Sequence, residues 1–320
     1  MDLLDPLGLK AKREARYKEA VAFNPEKVIE TDWCSEEEAS DAGLFVPRGL
    51  PLGYYKGRPI YYPGTIHGLT FGSSGSGKTT SQLIPAILSD TMKDTSMVIF
   101  DLMGELSAVT GAWRRKFGPV HVINPMELFG DTYLKRFRPF ARYNVMDRSW
   151  LDPCASSFGT RAAKIAASCI LSEHERDKYF ILTARALAQG IIMTEARHGV
   201  PNLARVGEII TGDINDYCRW AVNTTTDPFI KRILKRFAAE GADEIRSLNE
   251  AIETARTEFA FLCDEAICNC VSESDFSFAD LKREVRTVYI VLPLEVIEVL
   301  GKFNSLLLGS ALGELLRGAI

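Results

Sequence analysis

The decapeptide FGSSGSGKTT, Phe71 to Thr80, constrains the fold more than any other stretch of this chain. Within it, Gly72-Ser73-Ser74-Gly75-Ser76-Gly77-Lys78-Thr79 meets every fixed position of the pattern G-x-x-x-x-G-K-[ST]. Glycines at those positions let the backbone curl until successive N–H groups converge on phosphate oxygens, and a helix that follows adds the positive end of its dipole. Gly72, Ser73, Ser74, Gly75, Ser76, Gly77, Lys78, Thr79 and Thr80 are therefore the candidate nucleotide contacts. Lys78 is placed to reach the terminal phosphates, where it would carry transition-state charge, and the Thr79 hydroxyl to join a Mg²⁺ shell. The pattern needs a strand before it and a helix after it. Gly68 to Phe71 is the expected strand and Lys78 to Leu88 the expected helix, kinked at Pro85, which has no N–H to donate.

The neighbouring sequence extends this into an α/β arrangement. Ser35 to Glu38 reads as a capping box opening a short helix, and Leu52–Tyr55 with Pro59–Tyr62 read as a hairpin turned at Lys56-Gly57-Arg58. Ser96 to Phe100 is a buried strand ending in Asp101, Glu105 to Lys116 an amphipathic helix, and Pro119 to Ile123 another strand. Strand and helix in alternation predict a parallel sheet with covering helices. From about residue 150 the rhythm changes. Arg161–Leu171, Lys178–Arg197, Leu203–Ile210, Asn215–Val222, Pro228–Ala239 and Ala242–Asn269 all carry helical spacing, so an all-helical unit is inserted before the sheet resumes at Arg286–Leu292 and ends in a helix over Val296–Arg317. The expected division is a lead-in over 1–30, a nucleotide-binding part over 31–148, an all-α domain over 149–280, and a return to the nucleotide-binding domain over 281–320.

Composition narrows the function classes. A net charge of −4 excludes a chain that coats nucleic acid along its whole surface, so any such contact is local. Seven scattered cysteines, an odd number, read as free thiols of a reducing compartment, and Cys263, Cys268 and Cys270 have no zinc-site spacing. No window approaches the roughly 18 to 20 apolar residues that span a bilayer.

Phosphoryl transfer also needs a carboxylate on the metal side. Phe259-Ala260-Phe261-Leu262-Cys263-Asp264-Glu265 resembles a strand ending in acids, yet Ile252, Ala255, Phe259, Leu262 and Ala266 recur at helical steps, so Asp264 and Glu265 are set aside. Asp101, with Glu105 beyond the Gly104 turn, is the better metal candidate because it stands at a strand's carboxyl end. The other reading makes Asp101 a strand terminator and Glu105 a helix-opening acid. Two basic strips stand out: Lys231, Arg232, Lys235 and Arg236, and a second of Lys135, Arg136, Arg138 and Arg142 near Tyr143. Each is either a solvated face or a strip that follows a phosphate backbone.

Together these residues resemble the TraG/TraD-like coupling proteins of type IV secretion and conjugation. The likeness runs through Trp33-Cys34-Ser35-Glu36-Glu37-Glu38 with Ala42-Gly43-Leu44, Tyr61-Tyr62-Pro63-Gly64 with His67, the phosphate loop and Ile84-Pro85. It continues through Asp101-Leu102-Met103-Gly104-Glu105, Arg142 to Asp147, Ser272 to Phe276, and Tyr289-Ile290-Val291-Leu292-Pro293. The resemblance implies a RecA-like P-loop NTPase core with a mostly parallel sheet and an inserted all-α domain. It also implies ATP and Mg²⁺ as cofactors, a hexameric homo-oligomer, DNA or relaxase/protein cargo, other secretion-system components as partners, and a cytoplasmic place at the bacterial inner-membrane face. The chain departs from the family in having Met103 where Lys is usual and in showing no membrane-spanning helix. The family's second nucleotide motif, an apolar strand ending in Asp-Glu, is expected just past Leu316-Arg317-Gly318, beyond Ile320. That leaves two expectations: a coupling-protein motor subunit, or a nucleotide-binding module that does not hydrolyse without a partner chain. A small-molecule P-loop kinase fits less well, because crossovers in compact α/β units are far shorter than the helical insertion of roughly 120 residues here.

Overall fold

The computed structural model describes residues 34–64, 67–171, 178–238, 245–293, 295 and 300–316. Residues 1–69 and 70–320 form two compact units. The lead-in over 1–30 lies outside the described residues.

In the first unit the capping box forms. The Ser35 side chain accepts from the Glu38 N–H and Glu38 Oε2 accepts from the Ser35 N–H, which starts α1 (Glu36–Asp41). β1 (Leu50–Tyr55) and β2 (Arg58–Tyr62) make an antiparallel hairpin whose turn residues, Lys56 and Gly57, have φ of 48° and 80°. Two consecutive positive φ values match the right-handed strand twist in a two-residue turn. Arg58 fastens the hairpin to α1 by an ion pair with Glu36 at 3.0 Å and lies over the Phe45 ring.

The second unit is built on a parallel three-stranded sheet: β3 (Met97–Asp101), β4 (Val120–Ile123) and β5 (Thr287–Val291), in the order β3-β5-β4. All five β5 residues are buried. Alternation decides where each points. Tyr289 and Val291 join Ile87, Leu106, Val122, Leu134 and Phe137 on one face, and Val288 and Ile290 join the large core that continues into the helices. A strand covered on both faces reads as an unbroken apolar run, as Val288 to Leu292 does.

On the first face lies α3 (Glu105–Arg114), which links β3 to β4. Thr110 Oγ1 meets the Tyr289 hydroxyl at 2.6 Å. Arg114, 1% exposed, donates from Nε to Thr287 Oγ1 at 3.0 Å, from Nη1 to the Met92 carbonyl at 2.9 Å and from Nη2 to the Thr95 carbonyl at 2.5 Å. Burial lowers its pKa, and carbonyl dipoles rather than a carboxylate satisfy the charge.

The other face carries α4 (Phe158–Cys169), α5 (Lys178–His198), α6 (Leu203–Thr211), α7 (Ile214–Thr224), α8 (Pro228–Leu234), α9 (Ile245–Phe259), α10 (Glu265–Ser272) and α11 (Gly301–Leu316). The long α5 is the axis, packing against α4, α6, α8 and α9. α8 comes close because Gly190 has no side chain; a Cβ there would stand 2.5 Å from Leu234 Cδ2. α11 returns to the start of the helical segment through Glu314, 4% exposed. Its carboxylate accepts from the hydroxyls of Tyr143 and Ser277 and from the Ala279 N–H at 3.0 Å. Burial first, and the neighbouring Glu314 carboxylate second, push the Tyr143 phenol well above its ordinary pKa.

Four expectations need correction. No strand forms over 68–71; the segment has no ladder partner among the described residues, and Leu69 and Phe71 are 79% and 86% exposed. An extended segment without a neighbour has no backbone bonds to hold it as a strand. The following helix opens as a π turn over Thr79–Leu83, with the Ile84 N–H donating to the Thr79 carbonyl, before α2 (Ile84–Leu88). Because Pro85 offers no N–H to Ser81, the turn before it is free to widen. The single helix expected up to Asn269 breaks after Phe259 into a 3-10 turn, and Asp264 restarts it as N-cap, with Oδ1 accepting from the N–H groups of Ala266 and Ile267. Helical spacing continues across the break, which is why periodicity alone does not reveal it. Finally, α8 ends at Leu234 and runs on as a 3-10 turn over Lys235–Phe237; α11 begins at Gly301, and 296–299 lie outside the described residues.

Two outcomes follow for stability. A Cβ on Gly118, just before β4, would lie 1.8 Å from the Val285 carbonyl oxygen just before β5, a backbone atom that cannot rotate away. Gly118→Ala is expected to lower unfolding stability by about 1 to 3 kcal/mol, read as a lower urea midpoint with an unchanged m-value. His121 stacks on Phe276 at 4.6 Å with Nε2 3.2 Å from Arg286 Nη1. Burial, then the Arg286 charge, lower its pKa, outweighing Asp275, Asp280 and Glu284, which act the other way. The unfolded chain then holds the proton more tightly than the native one. Stability from this group is full above the ordinary histidine value of about 6.5 and erodes as pH falls below it. Denaturation followed between pH 7.5 and 5 is expected to show a flatter decline in His121→Phe than in the unaltered chain.

Candidate nucleotide site

The phosphate loop occupies residues 72–79 at the head of the π turn and α2. Gly75 and Gly77 take φ of 76° and 82°, a region that side chains with a Cβ rarely adopt. Gly72 is held by space instead: a Cβ there would lie 2.5 Å from Ser76 Oγ and 3.3 Å from Lys78 Cγ. The Ser76 N–H donates to the Ser73 carbonyl at 3.2 Å and the Ser81 N–H to the Gly77 carbonyl at 2.7 Å, so the loop curls once before the helix begins. The Gly75, Gly77 and Lys78 N–H groups have no carbonyl partner among the described residues. Lys78 folds back across the loop, its Nζ donating to the Gly72 carbonyl at 2.7 Å and the Ser73 carbonyl at 2.8 Å. Thr79 is half-buried at the first position of the π turn, while the exposed Thr80 donates to the Gly77 carbonyl at 3.2 Å. Curled backbone, free amides and a lysine spanning the mouth form the donor set a polyphosphate requires.

Asp101 and Glu105 lie on either side of one turn but differ in environment. Asp101 is 3% exposed, and its Oδ2 accepts from both the N–H and the hydroxyl of Ser107 at 2.7 Å. Gly104, the residue before α3, is left-handed at φ 66° and has no side chain with which to cap. Asp101 supplies that cap from three residues upstream, and Oδ1 is left unused by Ser107. Glu105 is exposed in the first turn of α3, and Met103 is 61% exposed. Sequence reasoning missed Ser107 and Arg114. Neither belongs to a spaced motif; Ser107 acts through a local bond to Asp101, and Arg114 through side-chain bonds to segments distant in sequence.

The two basic strips part company. In the second, Arg138 pairs with Glu127 at 2.5 Å and Asp131 at 3.5 Å, and Arg142 with Glu273 at 2.8 Å and Asp275 at 3.2 Å, so half of its cations are already matched. Tyr143 beside it is buried. In the first, Lys231, Arg232 and Lys235 are exposed and Arg236 half-buried.

Residues 14–318 match the family described as Type IV secretory system Conjugative DNA transfer. The VirD4 protein of Rhizobium radiobacter is 26% identical over 245 residues, covering 75% of this chain and 33% of that protein. The type IV secretion system-coupling protein VirD4 of Bartonella quintana is 25% identical over 269 residues, covering 79% of this chain and 39% of its own. The chain thus spans a third to two fifths of the length of these relatives. Among solved structures, the plasmid coupling protein TrwB bound to a non-hydrolysable ATP analogue superimposes with a TM-score of 0.54 at 16% identity, covering 77% of this chain and 51% of that one. TrwB in complex with ADP and Mg²⁺ gives 0.53 with the same coverage. That likeness establishes the α/β P-loop fold expected from the loop and the strand pattern. The chain belongs to the type IV secretory system conjugative DNA transfer family.

Proposed function

We propose that this chain is a nucleotide-binding motor subunit of the coupling-protein kind, bringing DNA or protein substrates to a type IV secretion channel. The observation that carries the proposal is the phosphate loop, with its free amides and with Lys78 bridging the Gly72 and Ser73 carbonyls, in a chain of this family. TrwB, of the same fold, has been seen with an ATP analogue and with ADP and Mg²⁺. ATP with Mg²⁺ is accordingly the proposed ligand, supplying when bound a phosphoanhydride whose cleavage releases the free energy for movement.

The protein's own groups divide the work. The amides of Gly75, Gly77 and Lys78 would take phosphate oxygens, and Lys78 would exchange its carbonyl partners for them at little reorganisation cost, because its ammonium already spans the mouth. Ser73, Ser74 and Ser76 line the curl, with Thr80 at its far end. Thr79 is the direct Mg²⁺ ligand in this proposal, and Asp101 contributes through Oδ1 while Oδ2 remains on Ser107. Glu105, exposed at the start of α3, is the candidate for orienting water. The nucleotide-binding part comprises residues 31–148 and 281–320, and the all-α part, 149–280, faces cargo. Assembly as a hexamer at the cytoplasmic face of the inner membrane, with relaxase and other secretion components as partners, completes the proposal by family likeness.

Mg-ATP binding measured by calorimetry tests the loop. Lys78→Ala is expected to weaken it at least tenfold, a change of about 1.4 kcal/mol, with the thermal midpoint unchanged; equal affinity in the variant would remove the loop from the site. Asp101→Asn separates capping from metal binding, because asparagine keeps an acceptor for Ser107. The expected result is native-like stability with a several-fold higher Mg²⁺ requirement for nucleotide binding. An unchanged Mg²⁺ requirement would leave Asp101 with the cap alone.

A further inference from the structure

Half of the basic strip at 135–142 stays unmatched. Arg138 and Arg142 hold carboxylates, whereas Lys135 and Arg136 make no ion pair among the described residues. Arg115, just past the end of α3, joins them, its Nη2 donating to the Arg136 carbonyl at 3.1 Å. The two guanidiniums share one ring: Cζ of Arg115 stands 4.4 Å and Cζ of Arg136 5.2 Å from the Phe137 centroid. Arg136 also donates to the Ala108 carbonyl, which holds it against α3. Arg115 too has no carboxylate partner among the described residues, and Asp131, the acid closest in sequence to Lys135, turns to Arg138 at 3.5 Å. Three exposed cations are thus gathered without an acid in a chain of net charge −4, and the local field they make is of opposite sign.

Lys135 and Arg136 line an open groove of about 730 Å³, together with Ala108 and Val109 of α3 and with Thr132 and Tyr133. Its apolar lining faces solvent, Val109 being 51% and Tyr133 68% exposed. Phe129 lengthens that wall. Its ring lies 5.6 Å from that of Tyr133, on a backbone held at φ 52°, where an aromatic residue is an outlier. The same ring rests on the entry to α3, since a Cβ on Gly104 would stand 3.3 Å from Phe129 Cδ2. Exposed apolar side chains gathered around a concavity mark a contact surface. The rim says what enters it. An apolar wall edged by cations complements a segment that carries one large apolar side chain between carboxylates, and guanidiniums fork onto carboxylates well. Nucleic acid fits less well: Phe129 and Tyr133 meet edge to face at 63°, a stepped wall and not the flat platform on which bases stack. A bilayer needs apolar groups that project from a face, whereas Ala108 and Val109 border a recess.

We propose that the groove between α3 and residues 132–136 docks an acidic, amphipathic peptide segment of a partner protein. Its apolar side chain sits between Val109 and Tyr133, and its carboxylates meet Arg115, Lys135 and Arg136. The surface belongs to the sheet-bearing part of the chain and requires neither nucleotide nor cargo. It goes beyond the motor reading and stands independently of it.

The test uses the whole chain and two fluorescein-labelled peptides of about fifteen residues, one of glutamate and leucine and one of glutamate and phenylalanine, followed by anisotropy. At least one is expected to saturate below about 1 mM, and polyglutamate of equal charge to bind about tenfold more weakly for want of an apolar side chain. Lys135→Glu is expected to cost about fivefold or more in peptide affinity, and Lys135→Arg to retain binding. Val109→Asp is expected to cost about tenfold, as loss of a buried apolar contact does. Both positions are exposed, so thermal midpoints are expected to be unchanged. The proposal is overturned if neither peptide saturates, if polyglutamate binds as tightly, or if Lys135→Glu and Val109→Asp leave the affinity unaltered. It is equally overturned if oligothymidylate or phosphatidylserine vesicles bind with the same dependence on Lys135 and Val109 while the peptides do not. Sedimentation of the chain alone adds a third arm: self-association that both substitutions abolish assigns the groove to a second copy and overturns the proposal. Mg-ATP affinity of Lys135→Glu is measured in parallel and is expected to be unchanged, so failure of the groove and failure of the nucleotide site give different results.

Discussion

The α/β unit depends on one pairing, that of β5 between β3 and β4. The two outer strands come within about twenty residues of each other, yet among the described residues they do not pair with each other; each is bonded to a strand that arrives after the whole helical segment. Helical segment and sheet are therefore not independent in folding. Val288 and Ile290 lie in the same core as Phe158, Leu187 and Phe303, so the face of the sheet is completed by the helices that delay its closure. Contacts of such long sequence separation carry a loop-closure cost before they return any stabilisation. Gly118 and Val285, at the mouths of β4 and β5, are where that late arrival has least room.

Much of this was legible in sequence wherever a local rule sufficed. The capping box at Ser35 and Glu38, the Lys56-Gly57 turn, the strand ending in Asp101 and the buried run of β5 each satisfy a rule within ten residues, and each formed. What escaped depends on partners or on competition. Gly68 to Phe71 was read as a strand but has no ladder partner among the described residues. The helix after the loop was foreseen, but not its widened first turn, because a proline announces that a bond is missing and not how the chain adjusts. The break at Asp264 was hidden because an excellent N-cap sat inside an uninterrupted apolar period, and a cap outweighs a period locally. Asp101 illustrates the limit for the site: its place at a strand end was readable, its bonds to Ser107 were not.

Charge is distributed by the same logic. Most arginines of the second unit are tied to carboxylates, to carbonyls or to aromatic faces, and many of these bonds cross between segments remote in sequence, as Arg142 to Asp275 and Lys302 to Glu258 do. Exposed pairs of this kind add little stability one by one. Their effect is on surface character: they cancel basic strips that a sequence reading would take at face value, as at Arg138 and Arg142, whereas Lys231 and Lys235 of the other strip make no ion pair among the described residues.

Arg114 has a mechanical meaning beyond its burial. One rigid, planar group is clamped at once to the chain segment leaving the phosphate-loop helix, at Met92 and Thr95, and to the first residue of the central strand, at Thr287. Because a guanidinium cannot bend, the exit of that helix and the entry of that strand are held as two arms of one bracket. The segment that leaves the loop's helix and the start of β5, the strand that the helical segment also grips, therefore share one fixed point. Through β5 the bracket ties the helix that follows the glycine-rich loop to the inserted helices by side-chain contacts alone.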